Sequence, residues 1–190
     1  MKIALFFGSF NPIHTGHLII ANYIAEHCDI QKVWLVVSPQ NPFKEQKELL
    51  DAKKRLYLCN IAIEDNPKLE ASSIEFNLPM PSYTIDTLVH LKEKYPQHQF
   101  SIIMGEDNMN NFHKWKNYEK IVESYPIFVY RRNDVPINEK FIHPMIQWLV
   151  VPLLDISATY IRQQIKEKKS IQYLVTEKVK EEIEQGGFYK

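Results

Sequence analysis

Glycine is scarce in this chain, and several features that would indicate a protein's role are missing. There are 5 glycines among 190 residues, whereas average usage would give about 13. The 23 basic and 23 acidic residues balance, so no overall charge attracts nucleic acid or an anionic membrane. No apolar run approaches the roughly 20 residues that cross a bilayer, and the first run lacks a cleavage site. We therefore expect a cytoplasmic protein that binds neither nucleic acid nor a membrane.

Cysteine chemistry and the commonest nucleotide-binding fingerprints are also absent. Cys28 and Cys59 stand far apart, with no Cys-x-x-Cys and no His/Cys cluster at zinc spacing. This predicts free thiols in a reducing compartment. Neither Gly-x-Gly-x-x-Gly nor Gly-x-x-x-x-Gly-Lys-Ser/Thr occurs, which excludes the usual dinucleotide and P-loop motifs.

The few glycines stand at informative positions. Two of them follow the last predicted helix, which leaves Gly8, Gly16 and Gly105 in the rest of the chain. Each of these three lies where a predicted strand ends or the next helix begins. Such glycines allow the backbone to approach closely at the carboxyl edge of a sheet, which is where open α/β sheets bind ligands.

Strands and helices are predicted to alternate along the chain. Strands are expected over 3–7, 32–37, 69–76, 100–104, 126–130 and 145–154. Helices are expected over 18–25, over 51–64, from a cap at Ser82 or Thr84 to Tyr95, from Ser157, and over 176–185. Alternation implies parallel pairing with right-handed crossovers. The predicted fold class is α/β, a Rossmann-like, doubly wound, mostly parallel sheet with a small C-terminal helical appendage. At this length we expect a single domain over 1–190.

Two segments carry polar residues at predicted helix starts. The first is Gly8-Ser9-Phe10-Asn11-Pro12-Ile13-His14-Thr15-Gly16-His17, between a strand and a helix. The second is Ile156-Ser157-Ala158-Thr159-Tyr160-Ile161-Arg162. A helix start presents free N–H groups and a positive dipole end to an anion. Arg162 would add a forked cation one turn later.

These segments resemble the His-x-Gly-His and Ile-Ser-x-Thr-x-Ile-Arg signatures of the nucleotidyltransferases, which transfer a nucleoside monophosphate from a triphosphate. Three further segments narrow the resemblance: 39–44, 82–88, and Gly105-Glu106-Asp107 followed by Trp115. They are similar to the nicotinate mononucleotide adenylyltransferases of bacterial NAD synthesis. The resemblance covers nearly the whole chain.

The resemblance implies ATP-dependent adenylyl transfer to nicotinate mononucleotide, which yields deamido-NAD and pyrophosphate. Mg²⁺ would accompany ATP with mostly phosphate and water ligands, so no metal ligand is expected from protein side chains. The implied catalytic residues are His14, His17, Lys44 and Arg162. The implied ATP-binding residues are Gly8, Ser9, Phe10, His14, His17, Gly105, Asp107, Ser157, Thr159 and Arg162. The implied mononucleotide-binding residues are Asn11, Lys44, Tyr83, Thr84, Trp115 and Lys116.

Some interpretations stay open at this point. Position 11 is Asn where Asp is more usual in the family, and Lys116 stands where Tyr is common. Trp115 is either a stacking surface for a pyridinium ring or a core residue. Asp107 binds ribose hydroxyls, caps a helix, or does both. Weaker phosphate-binding candidates, with surface roles as the alternative, are Arg55, Arg131 and Arg132.

Two other functions also remain. One is an adenylyl- or cytidylyltransferase that acts on another phosphate acceptor, such as phosphopantetheine. The other is a non-catalytic nucleotide-binding regulator on the same fold. The sequence leaves open whether the chain forms a homo-oligomer.

Overall fold

A six-stranded parallel sheet forms the centre of the protein. The computed structural model describes residues 1–39, 49–131, 142–152 and 154–190. The strands are β1 Lys2–Gly8, β2 Lys32–Val37, β3 Leu69–Ser72, β4 Gln99–Gly105, β5 Ile127–Arg131 and β6 Ile146–Val150. Their order in the sheet is β3-β2-β1-β4-β5-β6, and every pair is parallel. This is the Rossmann order, so the predicted fold class is confirmed.

Both faces of the sheet are covered by helices. These are α1 Thr15–His27, α2 Ala52–Ile63, α3 Thr84–Lys94, α4 Glu106–Asn110, α5 Tyr118–Ser124, α6 Ala158–Lys166 and α7 Glu177–Gly186. Short 3₁₀ turns cover Ile74–Asn77 and Phe112–Lys114. The central strands are buried on both sides, as Ile3 and Ala4 show at opposite faces of β1. Near-continuous apolar runs are what such a doubly covered parallel strand requires. No helix in the described ranges is long and apolar enough to cross a membrane.

Local capping signals set several helix starts as predicted. The Asp51 carboxylate accepts hydrogen bonds from the backbone N–H of Lys53 and Lys54, at 3.0 and 3.2 Å. The Ser157 hydroxyl accepts one from the Tyr160 N–H at 3.1 Å. Each side chain satisfies N–H groups that a helix leaves without partners in its first turn.

Several sequence-based boundaries differ from the structure, and α1 begins at Thr15 rather than at residue 18. Tyr83 occupies the N-cap position of α3 without a side-chain cap, because the Ser82 hydroxyl donates to Glu75 instead. The third strand ends at Ser72 and continues into a 3₁₀ turn in which Glu75 is buried. The last strand ends at Val150, two residues before Pro152, which has no N–H for a sheet ladder.

The strand order reverses between β1 and β4, since β2 and β3 lie on one side and β5 and β6 on the other. Such a reversal opens a crevice beyond the carboxyl ends of the two central strands. Gly8 ends β1 and Gly105 ends β4. Two of the scarce glycines therefore stand at the mouth of this crevice.

Candidate active site

A cavity of about 770 Å³ lies at this crevice. Its size is that of a pocket for a small organic ligand or cofactor. Ten predicted site residues are among those that line it: Gly8, Ser9, Phe10, Asn11, His14, His17, Asp107, Ser157, Thr159 and Arg162. The N-terminal residues of α1 and α6 thus meet at one cavity, as the two sequence segments predicted.

The turn after β1 is shaped by close packing of Phe10 on Gly8. A Cβ at Gly8 would lie 2.8 Å from the Phe10 ring, so any side chain there would require the ring to shift. Phe10 itself has a φ of 45°, an uncommon backbone conformation for a side chain of this size. Its ring is buried and meets His17 edge-on, with centroids 5.0 Å apart. The packing of this turn therefore places its backbone close to the histidines at the start of α1.

His14 and His17 form a stacked pair at the start of α1. Their ring centroids are 3.7 Å apart, with an interplanar angle of 28°. The His14 backbone N–H donates to Nδ1 of His17 at 3.3 Å. Because Nδ1 is the acceptor, a neutral His17 carries its proton on Nε2 and can donate it to a ligand.

The two histidines differ in their surroundings. Burial lowers the pKa of His14 to about 4, since desolvation disfavours the charged imidazolium. His14 is therefore neutral near pH 7, and its buried Nδ1 has no hydrogen-bond partner among the described residues. Gly16 allows the ring to fit, because a Cβ there would lie 3.1 Å from it.

Arg162 joins α6 to the turn after β1. Its Nη1 donates to the Asn11 carbonyl at 2.9 Å, and its Nη2 lies 3.5 Å from the Thr159 hydroxyl. The guanidinium thus contributes to the wall of the cavity from the opposite end of the sequence. An arginine in such a position can present N–H groups in a fixed plane to a phosphate.

Asp107 enters the cavity from the end of β4. It lies in the first turn of α4, whose N-cap is Gly105. A Cβ on Gly105 would lie 2.5 Å from Asp107 Oδ1, so the carboxylate folds back over the glycine. The alternative interpretation of Asp107 as an N-cap is therefore wrong. Gly105 supports the site through this close approach.

Four other predicted ligand-binding residues (Tyr83, Thr84, Trp115 and Lys116) lie apart from the cavity. Together with Asp86, which was not predicted to bind a ligand, they form a group that we call the Tyr83–Lys116 cluster. Lys116 Nζ lies 2.8 and 3.0 Å from the Asp86 carboxylate oxygens and 4.9 Å from the centre of the Tyr83 ring. Trp115 is partly buried and packs edge-on against Phe112, with centroids 5.5 Å apart. The cluster joins the start of α3 to the segment before α5, outside the residues that line the cavity.

Sequence reasoning missed Glu75. Its side chain is 2% exposed and accepts hydrogen bonds from the Ser82 and Thr87 hydroxyls, both at 2.9 Å. These two donors flank Tyr83 and Thr84, so the carboxylate fixes the start of α3. A glutamate in an apolar stretch was the available signal, because buried carboxylates are rare unless they are hydrogen-bonded.

Arg55 corrects both interpretations that the sequence suggested for it. Its side chain is fully buried, so it is not a surface residue. Its guanidinium donates to backbone carbonyls rather than facing a phosphate. Arg131 ends β5 and is partly buried, whereas Lys44 and Arg132 lie outside the described residues.

Metal-binding side chains are not gathered in the described ranges, where no three His, Cys, Asp or Glu residues form a candidate site. Asp107 is the only acidic residue among those found to line the cavity. This donor set fits a hard cation such as Mg²⁺, which keeps several waters and takes oxygens from the phosphates it accompanies.

Two helix N-termini at the strand-order reversal, together with a histidine pair, are typical of an α/β enzyme that acts on nucleoside phosphates. The comparisons with known proteins agree. A family described as cytidylyltransferase-like matches residues 5–164. A relative from Flavobacterium psychrophilum, named "Probable nicotinate-nucleotide adenylyltransferase", is 54% identical over 100% of both chains. The relative of the same name from Bacteroides thetaiotaomicron is 42% identical over 96% of this chain and 91% of its own.

A solved structure supports the fold. The nicotinic acid mononucleotide adenylyltransferase of Plasmodium falciparum, complexed with NaAD, superposes with a TM-score of 0.84 over 99% of this chain and 97% of that chain, at 22% identity. The chain thus belongs to the cytidylyltransferase-like family, in its nicotinate-nucleotide adenylyltransferase group. The resemblance predicted from the motifs is confirmed.

Proposed function

We propose that this protein transfers the adenylyl group of ATP to the 5′-phosphate of nicotinate mononucleotide, giving deamido-NAD and pyrophosphate in NAD biosynthesis. The observation that carries the proposal is the convergence of the His14–His17 pair and Arg162 on one cavity. The family of the chain supplies the choice of acceptor, because its relatives carry the name of that activity over their full length. Neither a different acceptor nor a non-catalytic regulator has a comparable observation in its favour.

The reaction needs charge neutralisation more than proton transfer. The attacking phosphate is largely ionised near neutral pH, with a second pKa of about 6, so it needs no general base. Bringing this anion to the α-phosphorus while pyrophosphate leaves is the obstacle. Positioned donors and helix N-termini lower that barrier by stabilising the charge that develops.

His17 and Arg162 are the residues proposed for this task. His17 donates Nε2–H to the α-phosphate in the transition state, and its hydrogen bond from His14 N–H fixes the required tautomer. Arg162 presents its guanidinium to the phosphates from the α6 side, anchored on the Asn11 carbonyl. His14, which stays neutral, contacts the triphosphate as a hydrogen-bonding group. Lys44 is the fourth catalytic residue of the proposal.

The rest of the ATP site follows from the cavity lining. Gly8, Ser9 and Phe10 offer the turn backbone, and Ser157 and Thr159 offer the start of α6. Asp107, supported by Gly105, accepts hydrogen bonds from ribose hydroxyls. No side chain is assigned to Mg²⁺, which would arrive with ATP and would neutralise part of the charge on the phosphates.

The acceptor is proposed to bind between the cavity and the Tyr83–Lys116 cluster, with Asn11 and Lys44 toward its phosphate. Trp115 provides the aromatic face for the pyridinium ring, a contact of about 1–2 kcal/mol when it is desolvated. Tyr83 and Thr84 provide the start of α3 for the nicotinate carboxylate. Lys116 already pairs with Asp86, so discrimination is assigned to the Thr84 segment.

The decisive test is pyrophosphate release with each acceptor, at saturating ATP and Mg²⁺. We expect nicotinate mononucleotide to be preferred over the amide by at least ~100-fold in kcat/KM, because donors placed for a carboxylate are left without partners by the amide. Phosphopantetheine serves as the control acceptor and should give no product. Turnover with phosphopantetheine but not with the mononucleotides would overturn the proposal, and binding of ATP without any turnover would indicate a regulator.

A further inference from the structure

The guanidinium of Arg55 joins three short backbone segments at the edge of the site. Arg55 lies in the first turn of α2, and its side chain has no exposed surface. Its Nη1 donates to the Ser9 carbonyl at 2.5 Å and to the Ser38 carbonyl at 2.8 Å. Its Nη2 donates to Pro39 at 3.0 Å, and its Nε donates to Leu50 at 2.8 Å.

One of these acceptors belongs to a backbone segment that lines the cavity. Ser9 is part of the turn that lines it. Ser38 and Pro39 follow β2, and Leu50 immediately precedes the cap of α2. A further hydrogen bond connects the turn after β1 to the residues before α2, because the Leu50 N–H donates to the Asn11 side chain at 3.1 Å.

Stability alone does not explain why this charged side chain is buried. Burial lowers the pKa of Arg55, yet an arginine side chain stays charged at neutral pH. Burying a charged group carries a desolvation cost, which its hydrogen bonds offset. The described hydrogen-bond acceptors of this fully buried guanidinium are all backbone carbonyls. We therefore interpret its role as fixing the relative positions of the backbone segments that carry them. One planar guanidinium can hold together four carbonyls from three segments, and no apolar residue can do so.

We propose that Arg55 is a positioning residue for the triphosphate site, and this rests on the proposed adenylyl transfer. By holding the Ser9 carbonyl beside the end of β2, it sets the turn at 8–11 in the position that accepts the phosphates. It touches neither substrate. Loss of its hydrogen bonds displaces the turn, and a misplacement of about 1 Å can cost up to ~100-fold in rate.

The test compares Arg55→Lys with Leu58→Ala. Leu58 is fully buried one turn later in α2, so its truncation lowers stability without removing a loop contact. Both variants are assayed well below their melting temperatures. We expect Arg55→Lys to raise the ATP Kd by at least ~10-fold and to lower kcat, because a point charge cannot span the four carbonyls. Leu58→Ala should leave both within ~2-fold in the folded protein.

Adenosine separates a displaced turn from general damage. Since adenosine lacks phosphates, Arg55→Lys should leave its Kd, measured by calorimetry, within ~2-fold of the wild type. Equal losses for ATP and adenosine, or normal ATP binding in a merely destabilised variant, would overturn the proposal.

Arg55→Gln covers the case in which the lysine variant does not fold, because it removes the buried charge and keeps amide donors. It should show the same selective loss of ATP affinity. If the wild type binds ATP but transfers nothing to the mononucleotide, the proposed function is wrong. The comparison of ATP and adenosine affinities still tests the positioning role of Arg55 in that case.

Discussion

The cavity around His14 and His17 and the Tyr83–Lys116 cluster are built in opposite ways. At the cavity, partly buried side chains are held by backbone groups: His17 by the His14 N–H, and Arg162 by the Asn11 carbonyl. In the cluster, Lys116 and Asp86 form an ion pair whose side chains are 45% and 49% exposed. Exposed pairs contribute only about 0–1 kcal/mol. The proposed phosphate site is thus preorganised, whereas the proposed acceptor site contains contacts that a ligand can rearrange at little cost.

The largest effect should come from His17, on the preorganised side. We expect His17→Ala to lower kcat by at least ~100-fold with little change in Tm, because one donor aimed at transition-state charge contributes ~3–4 kcal/mol. Steady-state assays and thermal melts measure the two quantities. His27→Ala, an exposed imidazole at the other end of α1, is the matched control and should have normal kcat. Near-normal turnover of His17→Ala would remove His17 from the mechanism.

His14 should make the cavity sensitive to acid. Its pKa is about 4 in the folded protein against 6.5 as the ordinary value, so the unfolded chain binds a proton first as pH falls. Above pH 6.5, His14 is neutral in both states and its titration does not lower the free energy of unfolding. As pH falls from 6.5 toward 4, that free energy should fall by up to ~3 kcal/mol.

Denaturant unfolding at several pH values measures this loss. His14→Gln, which does not titrate in that range, should show a shallower decline in stability over the same window. Identical declines in both proteins would contradict the assignment of this pH dependence to His14.

Arg162→Lys tests whether the forked contact matters or the charge alone. We expect about a 10-fold or greater loss in kcat/KM for ATP, since an ammonium cannot keep the Asn11 carbonyl and also present a planar pair of donors. Lys166→Arg, at the other end of α6, is the control and should have no effect. A wild-type kcat and ATP KM in Arg162→Lys would show that Arg162 is not a bidentate phosphate ligand.

The smallest effect is expected in the cluster. Lys116→Ala should change kcat/KM by less than ~3-fold and equally for the acid and amide mononucleotides, because the exposed pair with Asp86 contributes little. Asp86→Asn, which breaks the same pair from the other side, is the matched variant and should behave alike. A selective loss of the acid substrate in Lys116→Ala would instead assign the nicotinate carboxylate to Lys116.

Prediction from sequence worked where interactions are local. The caps by Asp51 and Ser157 join residues two or three apart, and the spacing of His14 and His17 places both at one helix start. The parallel pairing of the strands follows from the alternation of apolar runs and helices, because parallel strands need crossovers. The turn at 8–17 could therefore be placed between a strand and a helix before its geometry was known.

The tertiary structure decided the contacts between distant parts of the chain. Arg162 meets Asn11 across 151 positions, and Arg55 meets Ser9 across 46. A sequence shows that an arginine or a glutamate is present, but solvent exposure and partners depend on which segments the sheet brings together. Arg55 and Glu75 look like surface charges in the sequence and are buried in the fold. Their roles are set by desolvation and hydrogen-bond geometry, which exist only once the chain has folded.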